Sequence, residues 1–161
     1  MSVETARACL SRWGRAEDIL FFEQSSATVE LAAQALHTDG SRIAKTLSFL
    51  TKEGPILIVA AGDTKIDNAR YKAQFGQKAK MLTPEQALYY TGHAVGGVCP
   101  FGVPQDVAVY LDVSLRRFDT VYPACGSGNS AIELTCEELY QYGGAQGWVD
   151  VCKGWRDEEQ S

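Results

Sequence analysis

The stretch from Thr91 to Pro104 packs Gly92, Gly96, Gly97 and Gly102 together with Pro100 and Pro104. A simple turn needs one or two such residues, so this density points to a loop whose backbone is held close to something else. Gly96 and Gly97 tolerate φ > 0 and leave their amide N–H groups uncovered, while the prolines fix the loop's shape. Rigid exposed amides stabilise an oxyanion or orient a water during acyl transfer. A tight structural loop would use the same composition. The second chemical feature is Lys45, within Ser41-Arg42-Ile43-Ala44-Lys45-Thr46-Leu47. On a straight strand Lys45 shares a face with Ile43 and Leu47, which would be the core face. A lysine there needs an anionic or carbonyl partner, unless a bulge turns it outward. The third is the donor-rich turn Gly126-Ser127-Gly128-Asn129-Ser130, which a plain hairpin would also explain.

Few other reactive groups are available. The chain has two histidines, His37 and His93. His37 falls at a helix end, so His93 is the candidate for catalysis or binding. Ser127 lacks the G-x-S-x-G setting of a nucleophile. No His, Asp, Glu and Cys cluster has metal-ligand spacing, and neither nucleotide-phosphate glycine signature occurs, so no metal and no cofactor is expected. The five cysteines (9, 99, 125, 136 and 152) form no C-x-x-C pair and read as free thiols, mostly buried. The net charge of −5 argues against a general nucleic-acid binder. A local strip of Lys65, Arg70, Lys72, Lys78 and Lys80, opposed by Asp67, could still dock one defined RNA end, or be a solvated helix face.

The elements that must position these groups follow from periodicity. At 161 residues, 45% hydrophobic and 22% charged, the chain fits one soluble domain, 1–161. No apolar run reaches the roughly 20 residues of a membrane helix, and no secretory signal is seen, so the cytoplasm is expected. Helices are expected over Val3–Trp13, Ser25–Leu36 with Thr28 as cap, Asn68–Phe75, Pro84–Tyr90 and Glu137–Tyr142. Strands are expected over Ile19–Phe22 (buried), Ile43–Leu50, Pro55–Ala60, Val107–Val113, Val121–Cys125, Ala131–Leu134 and Trp148–Cys152. Asp157–Ser161 reads as a tail. Strands following one another without helices between them predict an α/β fold with a mixed sheet and helices around it.

Taken in order, Ser26-Ala27-Thr28, Ile43-Ala44-Lys45-Thr46-Leu47, Gly92 to Gly102, Val109-Tyr110-Leu111-Asp112 and Gly126-Ser127-Gly128 resemble the YbaK / prolyl-tRNA synthetase-associated editing domain family. The resemblance covers about residues 20 to 140. It implies a curved central sheet and hydrolysis of the ester joining a wrong amino acid to the tRNA 3′ end. It implies that Lys45, Gly96, Gly97 and Pro100 act in catalysis, Lys45 on a phosphate or on the ester carbonyl. Substrate contacts would come from Phe22, Ser25, Thr28, Thr46, His93, Phe101, Gly102, Gly126, Ser127 and Gly128, and tRNA contacts from Lys65, Arg70 and Lys72. The water would be positioned by backbone and by the substrate's terminal ribose hydroxyl. Expected partners are aminoacyl-tRNA through its acceptor end and an aminoacyl-tRNA synthetase, with no membrane, the protein being a monomer or weak dimer. The alternatives are a non-catalytic module that binds an aminoacyl or nucleotide-like ligand, and a hydrolase using Cys99.

Overall fold

The computed structural model describes residues 2–25, 28–94 and 96–156. Its centre is a hairpin. β2 (Ile43–Thr51) and β3 (Gly54–Ala61) pair antiparallel in unbroken register from Ala44↔Ala61 to Thr51↔Gly54. The Lys52-Glu53 tip closes on Gly54, whose φ of +119° suits glycine. The continuous apolar run of β3 is buried almost throughout, as expected of a strand with neighbours on both edges and both faces.

Around the hairpin β6 (Thr120–Pro123) runs parallel to β2, and β5 (Ala108–Asp112) parallel to β3. β9 (Gly147–Val149) and β8 (Leu134–Thr135) complete the order β8-β6-β2-β3-β5-β9. Two small ladders flank this sheet: β1 (Leu20–Phe21) with β7 (Ser130–Ala131), and β4 (Lys65–Ile66) with β10 (Cys152–Lys153). The sheet is mixed and curls into a half-barrel, with helices around it, as the sequence predicts.

The helices are α1 (Ser2–Ser11), α2 (Val29–Leu36), α3 (Asn68–Phe75), α4 (Pro84–Thr91) and α5 (Cys136–Tyr142). Their ends are set by local chemistry. Thr28 accepts from Leu31 N at 3.2 Å, Asp67 caps α3, and Thr83 with Gln86 makes a capping box before Pro84. His37 closes α2 in the left-handed region.

Side chains divide between two cores by strand alternation. Ala44, Leu57, Val59, Val109 and Val121 pack with Leu10, Phe101 and Leu139 on one face. Phe49, Ile56, Ile58 and Ala60 pack with Tyr71, Val151 and Cys152 on the other. The free cysteines follow suit: Cys99, Cys125 and Cys152 are buried, Cys9 and Cys136 partly so.

Three expected strands differ. Residues 19–22 do not form a buried strand: Leu20 and Phe21 make a two-residue edge, 43% and 53% exposed. Ala131–Leu134 splits, its start pairing with β1 and its end with β6. Trp148–Cys152 likewise splits between β5 and β4. In the last two cases one apolar run serves two ladders, which periodicity cannot reveal. No helix among the described residues is long and apolar enough to cross a membrane.

Candidate active site

A gap in the outer edge of β2 makes the site. β6 covers that edge only at Ile43 and Ala44, registered with Tyr122 and Pro123. Farther along, the segment at Met81 covers it: Leu50 N donates to Lys80 O at 2.8 Å, and Leu82 N donates to Ser48 O at 3.0 Å. Between them Lys45, Thr46 and Leu47, paired with β3 on their inner edge, have no strand neighbour on the outer edge among the described residues. Backbone groups of alternate residues face the same edge. Ser48 and Leu50 use theirs outward, so the N–H and C=O of Thr46 face the gap.

Over this gap lies a cavity of about 240 Å³. β2 contributes Lys45, Thr46 and Ser48, α2 contributes Val29 and Ala32, and its cap Thr28 joins them. Pro84 and Ala87 of α4 form a second side. Gly96 and Val98 of the glycine-rich loop, with Tyr122, Ala124 and Ser130, form the third. The lining is mainly small and apolar. Its ionisable side chains are Lys45 and Tyr122 alone among the described residues, so no histidine, cysteine or carboxylate reaches it.

Lys45 stands where strand alternation predicts, on the face of Leu47 and Phe49. Its Nζ donates to the carbonyl oxygen of Thr64, the kind of partner a lysine on a core face requires. The turn that presents this carbonyl is fixed by Thr64 Oγ1 donating to Ala61 O at 2.7 Å. Burial pushes the Lys45 ammonium below the usual lysine range; Cys152, Asp63 and Glu30 oppose the shift. One N–H is spent on Thr64, which leaves two for a ligand.

The glycine-rich loop is held from behind. A Cβ on Gly97 would lie 2.5 Å from Ser127 N and 2.6 Å from Gly126 C, so only glycine permits this backbone-to-backbone approach. Gly126-Ser127-Gly128 is thus the support of the loop and not part of the lining. Ser127 Oγ lies 2.8 Å from Ser130 Oγ and 2.9 Å from Asn129 Oδ1, holding Ser130 on the cavity wall.

The structure therefore brings Lys45, Thr46, Thr28 and Gly96 into one cavity, with Gly97 just behind. It places the other sequence candidates elsewhere. Phe22 is tied to Asn129, which accepts from its N–H at 2.9 Å. Ser25 Oγ lies 3.4 Å from Gly128 O. His93 and Phe101 are fully buried. His93 Nε2 sits 2.9 Å from Phe101 O, and burial lowers the imidazole pKa, so Nε2–H donates and the ring is neutral. Cys99 Sγ is 3.6 Å from that nitrogen, but its thiol is fully buried and pushed up to about 12. A thiolate nucleophile there is ruled out by position and by burial. Pro100 and Gly102 line a second cavity behind the loop, beside Arg12, Trp13 and Tyr142. Val95, Ser26 and Ala27 lie outside the described residues.

Sequence reasoning missed Ser48, Tyr122 and the α4 wall, and singled out Ser130 only as part of a donor-rich turn. Ser48 was detectable, two residues beyond Thr46 on the same strand face. Tyr122 was not, because its surroundings are assembled from afar. Its hydroxyl lies 3.2 Å from Glu133 Oε2 and Arg42 packs 5.0 Å over its ring. Thr120 Oγ1 donates to Glu133 Oε2 at 2.7 Å, the main reason the Glu133 carboxyl is held below its usual range.

With this geometry in view, the comparisons with known proteins agree. The chain belongs to the aminoacyl-tRNA editing domain family, whose model matches residues 23–142. It is 55% identical to YwhH of Bacillus subtilis over 156 residues, 96% of this chain and 99% of that one. It is 27% identical over 120 residues, 73% of each chain, to EbsC of Enterococcus faecalis, described as a candidate Cys-tRNA(Pro)/Cys-tRNA(Cys) deacylase. The solved structure of a candidate trans-editing enzyme for prolyl tRNA synthetase superposes with a TM-score of 0.85 at 28% identity, covering 95% of this chain and 98% of that one.

Proposed function

We propose that the protein is a trans-acting deacylase that hydrolyses the ester between a mischarged amino acid and the 3′ end of tRNA. One observation carries this reading: the Thr46 peptide edge, without a partner strand on that side among the described residues, borders a cavity that Lys45 and Gly96 line and that no described histidine, cysteine or carboxylate enters. An aminoacyl ester is already activated, so orientation and charge stabilisation suffice. A cavity of about 240 Å³ is below the roughly 300–1,000 Å³ of ordinary ligand pockets and suits an amino acid better than a nucleotide.

In this reading Lys45 uses its two remaining N–H groups on the terminal phosphate or on the ester carbonyl. The loop lies against the developing oxyanion at Gly96; the Gly97 N–H, expected from the sequence to be uncovered, is spent on Ala94 O at 2.9 Å. The water is held by backbone and by the substrate's neighbouring ribose hydroxyl, since the described residues offer the cavity no carboxylate or imidazole. Exposed Lys65 follows the Thr64 anchor directly, and Lys72 lies on α3, so both are assigned to the tRNA backbone. Arg70, 3.3 Å from Asp150, joins them from within an ion pair.

The test is incubation with tRNAs carrying different wrong amino acids. Hydrolysis of at least one of them well above the spontaneous rate is expected. No turnover across the panel by folded protein would overturn the reading in favour of a binding module.

A further inference from the structure

The hydroxyl of Thr46 is fully buried and has no hydrogen-bond partner among the described residues. Buried hydroxyls are normally satisfied, so an orphan at a cavity wall marks a place where a ligand completes the bond. Thr46 does not stand alone. Ser48, two residues on and on the same strand face, also lines the cavity and is 8% exposed. Ser130 brings a third hydroxyl, held by Ser127 at 2.8 Å. Elsewhere the wall is mainly apolar, with larger side chains such as Leu47, Met81 and Leu82 beside Ala32, Ala87 and Ala131. This combination admits a small side chain and offers it hydroxyl partners on the β2 side.

We propose that Thr46 is a specificity-determining residue and that the cavity selects a small hydroxylated amino acid, serine or threonine, over an apolar one of equal size. The inference rests on the deacylase reading and adds the substrate class. The Thr46 hydroxyl hydrogen-bonds the substrate's side-chain hydroxyl. The main-chain N–H and C=O of the same residue, both facing the gap, meet the ester carbonyl and the α-ammonium. A site built to hydrogen-bond a substrate hydroxyl rejects the analogue lacking it, because the buried protein group is then left unpaired.

The experiment compares seryl and 2-aminobutyryl esters, which match in size and differ in the hydroxyl, with parent protein and Thr46→Val. Turnover is read on charged tRNA. Binding is read by calorimetry on the non-hydrolysable 3′-amide analogues of seryl- and 2-aminobutyryl-adenosine, so the recognition claim is tested independently of catalysis. The parent is expected to favour the seryl compound by about 10- to 100-fold in kcat/KM and in Kd, the range of one unmade buried hydrogen bond. Thr46→Val is expected to lose that preference from both sides, since the seryl compound loses its partner and the 2-aminobutyryl compound no longer leaves a buried hydroxyl unpaired. Equal handling of the two compounds by the parent overturns the proposal even if both esters are cleaved, and so does a preference that survives in Thr46→Val. Seryl preference in binding without turnover keeps the specificity claim and removes the deacylase reading.

Discussion

Lys45 carries the site's positive charge from a face it shares with Leu47 and Phe49, and the Thr64 carbonyl is what makes that placement tolerable. Its charge still has a cost, since burial holds the ammonium below the ordinary value of 10.5. The unfolded chain therefore binds this proton more tightly than the folded protein. By linkage, stability rises as pH climbs through the folded pKa toward 10.5, and the cost is present in full below that window. Lys45→Met keeps the stem and removes the charge. It is expected to be at least as stable as the parent in urea titrations at pH 7, with its advantage narrowing as the pH approaches 10.5. A Met variant clearly less stable than the parent at pH 7 would mean that the Lys45–Thr64 hydrogen bond outweighs desolvation.

At the scale of elements, the site depends on two loops meeting backbone to backbone. Gly97→Ala places a methyl against Ser127 N and Gly126 C, neither of which is a flexible side-chain end. Overpacking of this kind costs about 1–3 kcal/mol, so a lower denaturation midpoint is expected together with reduced hydrolysis. Gly147 in β9 has open space around its Cβ position and no positive φ, so Gly147→Ala serves as the control and should leave both readouts unchanged. Elements with local signals were legible in the sequence. Thr28, Asp67 and Thr83 cap helices through neighbours three residues away or fewer, and the β2–β3 hairpin closes on Gly54. The division of residues 130–135 into β7 and β8 was not legible, because it is imposed by partners over a hundred residues away for β7 and by β6 for β8. The same distinction holds in the site. Lys45 and Gly96 announce themselves by local chemistry, while Thr46 and Thr28 enter as site residues through the family resemblance. Pro84, Ala87 and Tyr122 reach the cavity only through tertiary packing. His93 and Phe101 sit beside the right glycines in sequence, yet they anchor the loop from its buried side.

Over the whole molecule, two cores hold the curled sheet from both faces and leave a stretch of the outer edge of β2 without a partner strand among the described residues, and the cavity is there. An exposed strand edge is usually a liability; here α2, α4 and the glycine-rich loop surround it and turn it into a binding wall. With a net charge of −5, the proposed function would confine tRNA contact to a restricted approach, with Lys65 beside the Lys45 anchor and Lys72 on α3. Such a layout suits a protein that reads the acceptor end and its amino acid, with little general affinity for RNA. The role of Lys45 in ester hydrolysis is read out by single-turnover deacylation of a mischarged tRNA that the parent cleaves, repeated with folded Lys45→Ala. The variant's rate is expected to fall to near the spontaneous rate, while its circular dichroism and thermal midpoint stay close to the parent's. A Lys45→Ala protein that cleaves the same tRNA at the parent's rate would contradict that role.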